Sequence, residues 1–238
     1  MDQHAYLLFG LTLLVPWIAI HLARPDLRRE LWISSLVTIP LGPIFQYWYL
    51  QDYWRPDLIG PWSVGVEDLL FGFTAGGLGA ASYEVLANRA RAPRYGNQNP
   101  VFFFLAFLGG LAAHALFVPA GLNSIYVSFA VFVAVTAYML FRRPDLVRVS
   151  LVSGVSLAVL MIGAYQVVLL FHERLFIDHW MLENLSGRFI LGVPGEEPLW
   201  GIGWGGFIGT AWKYGYGEVC VPRREAAGGR TQETRTTG

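Results

Sequence analysis

Residues 101–117 read VFFFLAFLGGLAAHALF, an apolar run interrupted by one histidine and no charge. A helix of a water-soluble protein keeps one polar face, and no face of this run is polar. Hydrocarbon is its natural surrounding, and about 20 such residues cross a bilayer. Working outward, the chain offers seven windows of this kind, at roughly 5–23, 31–50, 64–86, 100–119, 121–141, 149–171 and 192–212. The composition agrees: 54% of the 238 residues are hydrophobic and only 14% charged, against about 25% charged in a soluble domain. Seventeen basic residues balance seventeen acidic ones, which excludes a nucleic-acid binder or a polybasic surface protein. The single cysteine, Cys220, leaves no internal disulfide and no cysteine metal cluster. No basic stretch precedes the first apolar segment, which opens Met1-Asp2-Gln3-His4, so a retained membrane helix is expected rather than a cleaved signal.

Arginine and lysine mark the cytoplasmic side of membrane proteins. The segments after spans 1, 3 and 5 hold Arg24, Arg28 and Arg29, then Arg89, Arg91 and Arg94, then Arg142, Arg143 and Arg148. The C-terminal end adds Lys213, Arg223, Arg224, Arg230 and Arg235, leaving Arg55, Arg174 and Arg188 for the opposite side. That alternation over seven crossings predicts an outer N-terminus and a cytoplasmic C-terminus. Residues 218–238, rich in Gly, Thr, Arg and Glu, are expected to form a disordered cytoplasmic tail.

The chain also resembles itself. Arg24-Pro25-Asp26-Leu27 recurs as Arg143-Pro144-Asp145-Leu146, and Asp52-Tyr53-Trp54 as Asp178-His179-Trp180. Val64-Gly65-Val66-Glu67-Asp68-Leu69-Leu70-Phe71-Gly72 is echoed by Val193-Pro194-Gly195-Glu196-Glu197-Pro198-Leu199-Trp200-Gly201. Three matches in one order identify a duplicated three-helix unit. Because an odd number of spans would invert the second copy, span 4 serves to restore its direction. The expected fold is all-α: a polytopic membrane protein of seven transmembrane helices, two parallel three-helix repeats (5–86 and 121–215) joined by one linking helix (100–119), within a single domain of residues 1–217.

Ionisable residues inside a span are a functional hypothesis by default. Here two adjacent acids occur twice at equivalent positions: Glu67 with Asp68, and Glu196 with Glu197. By the i, i+4 rule Asp68 shares a face with Gly72, Gly76 and Ala80, and Glu197 with Gly201, Gly205 and Gly209. Such small-residue stripes let helices approach closely. Glu67 lines up instead with Phe71, and Glu196 with Trp200 and Trp204. A bland alternative makes the acids helix-start residues at headgroup level. Four carboxylates gathered in a poorly solvated site cannot all ionise, however, and that supplies an acid and a base together. A carboxyl can protonate a carbon–carbon double bond, a carboxylate can remove a proton afterwards, and aromatic faces can stabilise the intervening cation.

The pattern Pro-x-Glu-Glu followed by an aromatic, in a repeated three-helix unit after an Asp-x-Trp-like element, resembles the lycopene cyclase domain of the integral-membrane carotenoid cyclases. The likeness runs to about residue 215. It implies a cofactor-free membrane enzyme that closes the linear ends of a long apolar polyene into rings. Pro194, Glu196 and Glu197 match the motif directly, whereas the first copy has Gly65 in place of the proline and Asp68 in place of the second glutamate. Gly72 and Gly201 stand where a second phenylalanine is common in the family. On this basis Glu67, Asp68, Glu196 and Glu197 are the expected catalytic acids. Phe71, Trp200, Trp204, Asp52, Asp178 and His114 are the expected substrate-side residues, with no cofactor and no metal.

Other signals carry less. Gly201-x-Gly203-x-x-Gly206 fits a dinucleotide pattern but lies inside a span, where it serves helix packing. His172, Glu173, Asp178, His179 and Glu183 lack consistent metal-ligand spacing. Trp54, Trp62 and Trp180 fit an interfacial aromatic belt, and Pro40 and Pro43 should kink span 2. His114 suits a proton shuttle and an interhelical hydrogen bond equally. A carotenoid hydratase or another terpene cyclase would use the same acids, and a three-plus-one-plus-three solute transporter would place its polar site nearer mid-span. A retinal photoreceptor is disfavoured, since span 7 has no lysine before Lys213.

Overall fold

The computed structural model describes residues 4–60, 63–96 and 100–223. Trp62 of the expected aromatic belt, and Arg224, Arg230, Arg235 and the rest of the expected tail beyond residue 223, lie outside the described residues. The described chain is mostly helical: α1 Ala5–Ala23, α2 Arg28–Thr38, α3 Leu41–Asp52, α4 Val66–Leu86, α5 Val101–Phe117, α6 Ser124–Arg142, α7 Val147–Leu169, the short α8 Leu175–His179, and α9 Glu196–Tyr216. Four helical segments, Ala5–Ala23, Val66–Leu86, Ser124–Arg142 and Pro144–Leu169, are long and apolar enough to cross a membrane by length and composition. Large apolar side chains point outward from this bundle: Phe141 is 83% exposed and Leu170 77%. Water would penalise such a surface, and lipid would not.

The expected continuous span 31–50 is instead two helices, α2 and α3, with a turn at Ile39 and Pro40. Pro40 and Pro43 lack the amide hydrogens that would bond four residues back, so two rungs of the ladder, three residues apart, are missing. α5 is shorter than its expected window, at 17 residues or ~26 Å of rise.

α4 packs against α1 and α2, while α9 packs against α6 and α7. The small-residue stripes make these contacts. A Cβ on Gly72 would lie 2.8 Å from the Thr38 carbonyl oxygen of α2, and one on Gly205 2.6 Å from the Ser153 carbonyl oxygen of α7. α4 and α9 also cross each other, with Gly79 against Ile208.

Where the sequence predicted the start of a tail, Glu218–Pro222 form a strand, β4, paired antiparallel with β1 (Arg89–Pro93). The tail reading looked only at composition, whereas the amides of this segment are satisfied by a partner far away in sequence. The register places Arg91 opposite Cys220, which is the same offset of 129 that relates Val64 to Val193. At the other end of the bundle Trp54 forms an antiparallel bridge with Trp180, equivalent at an offset of 126. Between them the Lys213 ammonium lies 2.8 Å from the Glu84 carboxylate, again an offset of 129. Repeat-equivalent residues therefore meet each other at both ends and inside the bundle.

The two Arg-Pro-Asp-Leu copies fold alike. Each is a single 3-10 turn in which the arginine grips its own aspartate with two nitrogens, Arg24 to Asp26 at 3.0 and 2.8 Å and Arg143 to Asp145 at 2.8 and 2.7 Å. The arginine then reaches a carbonyl beyond the third helix of its unit, Arg89 or Glu218. This fork holds the Asp26 carboxyl below its usual range, the Arg24 hydrogen bonds outweighing the partial burial.

Candidate active site

Both acidic pairs begin helices, but their two members part company. Asp68 and Glu197 line one small apolar cavity of ≈ 70 Å³, together with Tyr6, Tyr53, Tyr165, Phe71, Trp200 and Trp204. Glu67 and Glu196 do not line it. Glu67 Oε1 accepts the Ile59 amide hydrogen at 2.9 Å, and Glu196 Oε1 accepts the Ser186 amide hydrogen at 2.8 Å and the Tyr126 hydroxyl at 2.6 Å. These outer acids each tie down the loop leading into their helix. The gathering of four carboxylates expected from sequence is thus a gathering of two, one from each repeat. The aromatic partners also change: Phe71 and Trp200 lie three residues beyond Asp68 and Glu197, and i, i+3 neighbours share a face as i, i+4 neighbours do.

The two inner acids are held differently, and one residue accounts for it. Asp68 Oδ2 accepts the amide hydrogen of Gly65, three residues back, at 2.8 Å, as a helix-start acid commonly does. Its Oδ1 meets the Tyr6 hydroxyl at 3.2 Å. The residue three before Glu197 is Pro194, which has no amide hydrogen to give. Glu197 takes its partners from across the bundle: Tyr53 after α3, the Tyr165 hydroxyl of α7 at 2.7 Å and the Trp180 Nε1 at 2.9 Å. Pro194 itself ends a tight hairpin, β2 Phe189–Ile190 against β3 Val193–Pro194, turned at Leu191 (φ +52°) and Gly192 (φ +79°).

Aromatic rings form the rest of the wall. Phe71 and Trp200 lie 5.3 Å apart, Trp200 stacks on Trp204 at 5.7 Å, and Phe9 stacks on Tyr165 at 4.1 Å. Ring faces present negative charge to any cation between them. Two buried donors of this lining, Gln46 Nε2 and Trp204 Nε1, have no hydrogen-bond partner among the described residues. The Gln46 amide is oriented by its oxygen, which accepts the Trp54 Nε1 hydrogen at 3.1 Å.

Of the other predicted residues, Asp52 accepts the Ser124 hydroxyl at 2.5 Å and its amide at 2.8 Å, capping the start of α6. Its repeat counterpart Asp178 is half exposed and pairs with Arg174 at 3.3 Å. Neither faces the cavity, nor does His114, which bonds to Ser128 behind it. No group of three or more metal-ligating side chains occurs among the described residues. Sequence reasoning missed Tyr6, Tyr53 and Tyr165, and assigned Trp54 and Trp180 to the membrane surface, whereas both tryptophans are buried. The available signal was chemical: a phenol or indole deep in an apolar helix needs a polar partner, and the acids were the candidates.

A second, larger apolar hollow of ≈ 700 Å³ adjoins this cavity and shares Thr38, Leu41, Phe45, Phe132 and Trp204 with it. It runs along α9 beside α5 as far as Trp212 and Tyr216.

Residues 123–214 match the family model described as lycopene cyclase. The match spans α6 to α9, the second repeat with Pro194, Glu196 and Glu197, so the resemblance drawn from the motif is shown for that part of the chain. No curated protein and no solved structure matches the chain.

Proposed function

We propose that the chain is a membrane isomerase of the lycopene cyclase kind, which closes the end of a linear polyene through a carbocation. The observation that carries this is the apolar cavity with one acid from each repeat, Asp68 and Glu197, in an aromatic wall. Asp68 is the proton donor: one oxygen is engaged by a backbone amide, and the other faces a hydroxyl that can either give or accept. Its proton goes to a terminal double bond, and the internal double bond attacks the resulting cation to close the ring. Glu197, with three donors converging on it, is the fixed negative charge that stabilises the cation, aided by Trp200, Trp204 and Phe71. A long apolar substrate drawn from the bilayer is supported by the adjoining hollow: α9 rises ~29 Å from Glu197 to Tyr216, room for an extended chain.

The architecture we propose is three plus one plus three spans, with α2 and α3 together making one broken span and α5 the linking helix. The meeting of repeat-equivalent residues along one line supports two parallel units around an axis normal to the membrane. The arginine distribution favours a cytoplasmic C-terminal side, which puts the acids at the outer end.

A hydratase is the second reading, and the two unpartnered donors Gln46 Nε2 and Trp204 Nε1 favour it, because they would hold a water oxygen beside the cation.

The test is expression in bacteria that accumulate lycopene, followed by chromatography of the pigments. Wild type should yield a cyclic product, and Asp68→Asn and Glu197→Gln should yield none while accumulating in the membrane. Glu67→Gln and Glu196→Gln should lower the amount of folded protein more than the turnover of what remains. A hydroxylated linear product would select the hydratase. Unchanged lycopene with abundant wild-type protein would defeat both readings for this substrate.

A further inference from the structure

Ring closure leaves a cation that must lose a proton, and Glu197, with two donors on Oε1 and one on Oε2, is held as a counter-charge rather than as a base. His114, on α5 and 1% exposed, is the one buried imidazole among the described residues. Its Nδ1 lies 2.8 Å from the Gly110 carbonyl oxygen. A carbonyl only accepts, so Nδ1 carries the hydrogen and Nε2 of the neutral ring is a bare lone pair. That lone pair lies 2.8 Å from Ser128 Oγ, so the Ser128 hydroxyl donates to it. The Ser128 oxygen is then the acceptor for the Tyr49 hydroxyl at 2.7 Å. Trp200 Nε1, which can only donate, gives its hydrogen to the Tyr49 oxygen at 3.1 Å. The Ser124 carbonyl also faces the ring; with Nδ1 protonated towards Gly110 and Nε2 bare, the hydroxyls run from the cavity, which Tyr49 and Trp200 line, to His114. Phe45 and Trp48 rings, 4.9 and 5.2 Å from the imidazole, keep its place dry.

We propose that Tyr49, Ser128 and His114 form the proton-accepting relay of this site, an inference that rests on the cation chemistry proposed above. The C–H bond beside the cationic carbon breaks, and its electron pair becomes the double bond of the product. The proton arrives on the second lone pair of the Tyr49 oxygen as the tyrosine passes its own to Ser128 and the serine passes its own to His114 Nε2. The imidazolium returns that proton by the same line to the emptied cavity, where the Asp68 carboxylate takes it before the next turnover. If water captures the cation instead, the same relay accepts the proton of the added water. Tyr49 is the member that meets substrate, while Ser128 and His114 are positioning residues acting through it.

The experiment uses the purified full chain in liposomes with lycopene, and compares wild type with Ser128→Ala, Ser128→Thr and His114→Ala. Ser128→Ala should lower kcat about 10²-fold with KM changed by less than about twofold, and Ser128→Thr should restore most of kcat by returning the hydroxyl. His114→Ala should be equally slow and should recover part of its rate with added imidazole. Should Ser128→Ala fail to accumulate, Tyr49→Phe removes one oxygen from the same line and should show the same loss. A Ser128→Ala or Tyr49→Phe kcat within about threefold of wild type overturns the relay. If Asp68→Asn and Glu197→Gln are inactive in the same assay, the cyclase reading stands without the relay. If they too are active, or wild type itself does not turn over, the cation chemistry fails and the relay with it.

Discussion

Lys213→Met tests how the end of the bundle opposite the acid cavity is held. The Lys213 ammonium donates to Glu30 Oε1 at 2.8 Å and to the Ala80 carbonyl at 2.7 Å, and lies 2.8 Å from Glu84 Oε1. All three charged side chains are fully buried, at 0% exposure. Methionine fills similar space but leaves two carboxylates behind. Glu30 keeps Arg91, whose Nε is 3.2 Å away, whereas Glu84 keeps no ion pair within 4 Å among the described residues, only the more distant field of Arg91. An uncompensated buried charge costs about 3–5 kcal/mol. The double variant Lys213→Met with Glu84→Gln removes both charges, and its loss should be smaller than that of Lys213→Met alone. Unfolding titrations in mixed micelles with a denaturing detergent, followed by tryptophan fluorescence, measure both. The reasoning is refuted if Lys213→Met costs less than about 1 kcal/mol, or if the double variant is as unstable as the sum of the singles.

Three further outcomes are expected. Gly205→Val should abolish folded protein in the membrane, because its side chain would meet the Ser153 carbonyl at 2.6 Å and the Gly154 Cα at 3.0 Å, while Gly163→Ala, with nothing within 4 Å, should be neutral by size-exclusion chromatography. Burial and the nearby Glu84 push the Cys220 thiol up to about 12. An unfolded thiol ionises near about 8.5, so maleimide at pH 8 should label the denatured chain rapidly and the native one slowly. The thiol's contribution to stability, complete below the unfolded value, should shrink as pH rises towards the folded one. Pro194→Gly returns an amide hydrogen at the position where Gly65 holds Asp68, and should draw the Glu197 carboxyl out of the cavity. Turnover should then fall with little change in membrane-inserted protein, and equal turnover would contradict the role given to the proline.

Much of this was legible because it rests on period and repetition. The glycine stripes at 72, 76, 201 and 205 follow helical spacing, and the structure uses them as close helix contacts. The repeat offsets of 126 and 129 became residue pairs in space. What could not be read depends on partners distant in the chain. Nothing local to Glu196 and Glu197 tells which one meets Tyr53 and Tyr165, more than a hundred and about thirty residues away. Trp54 and Trp180 have the composition of surface-belt residues, and only their mutual bridge reveals that they are interior. Cys220 sits in a stretch that reads as tail until Arg91 is seen opposite it. The Pro40 break was visible as a kink, but its depth follows from two missing rungs acting together.

The pairing of Glu84 with Lys213 also depends on the two halves being unlike. In an assembly of two identical chains, a residue on the two-fold axis faces its own copy. A glutamate there would confront a glutamate, and a lysine a lysine, each a buried repulsion. Opposite charges at this place require two halves of unlike sequence. A single chain whose halves differ can set Glu84 against Lys213, just as it carries Gly65 in one half and Pro194 in the other. The same inequality gives Asp68 and Glu197 different partners within one cavity.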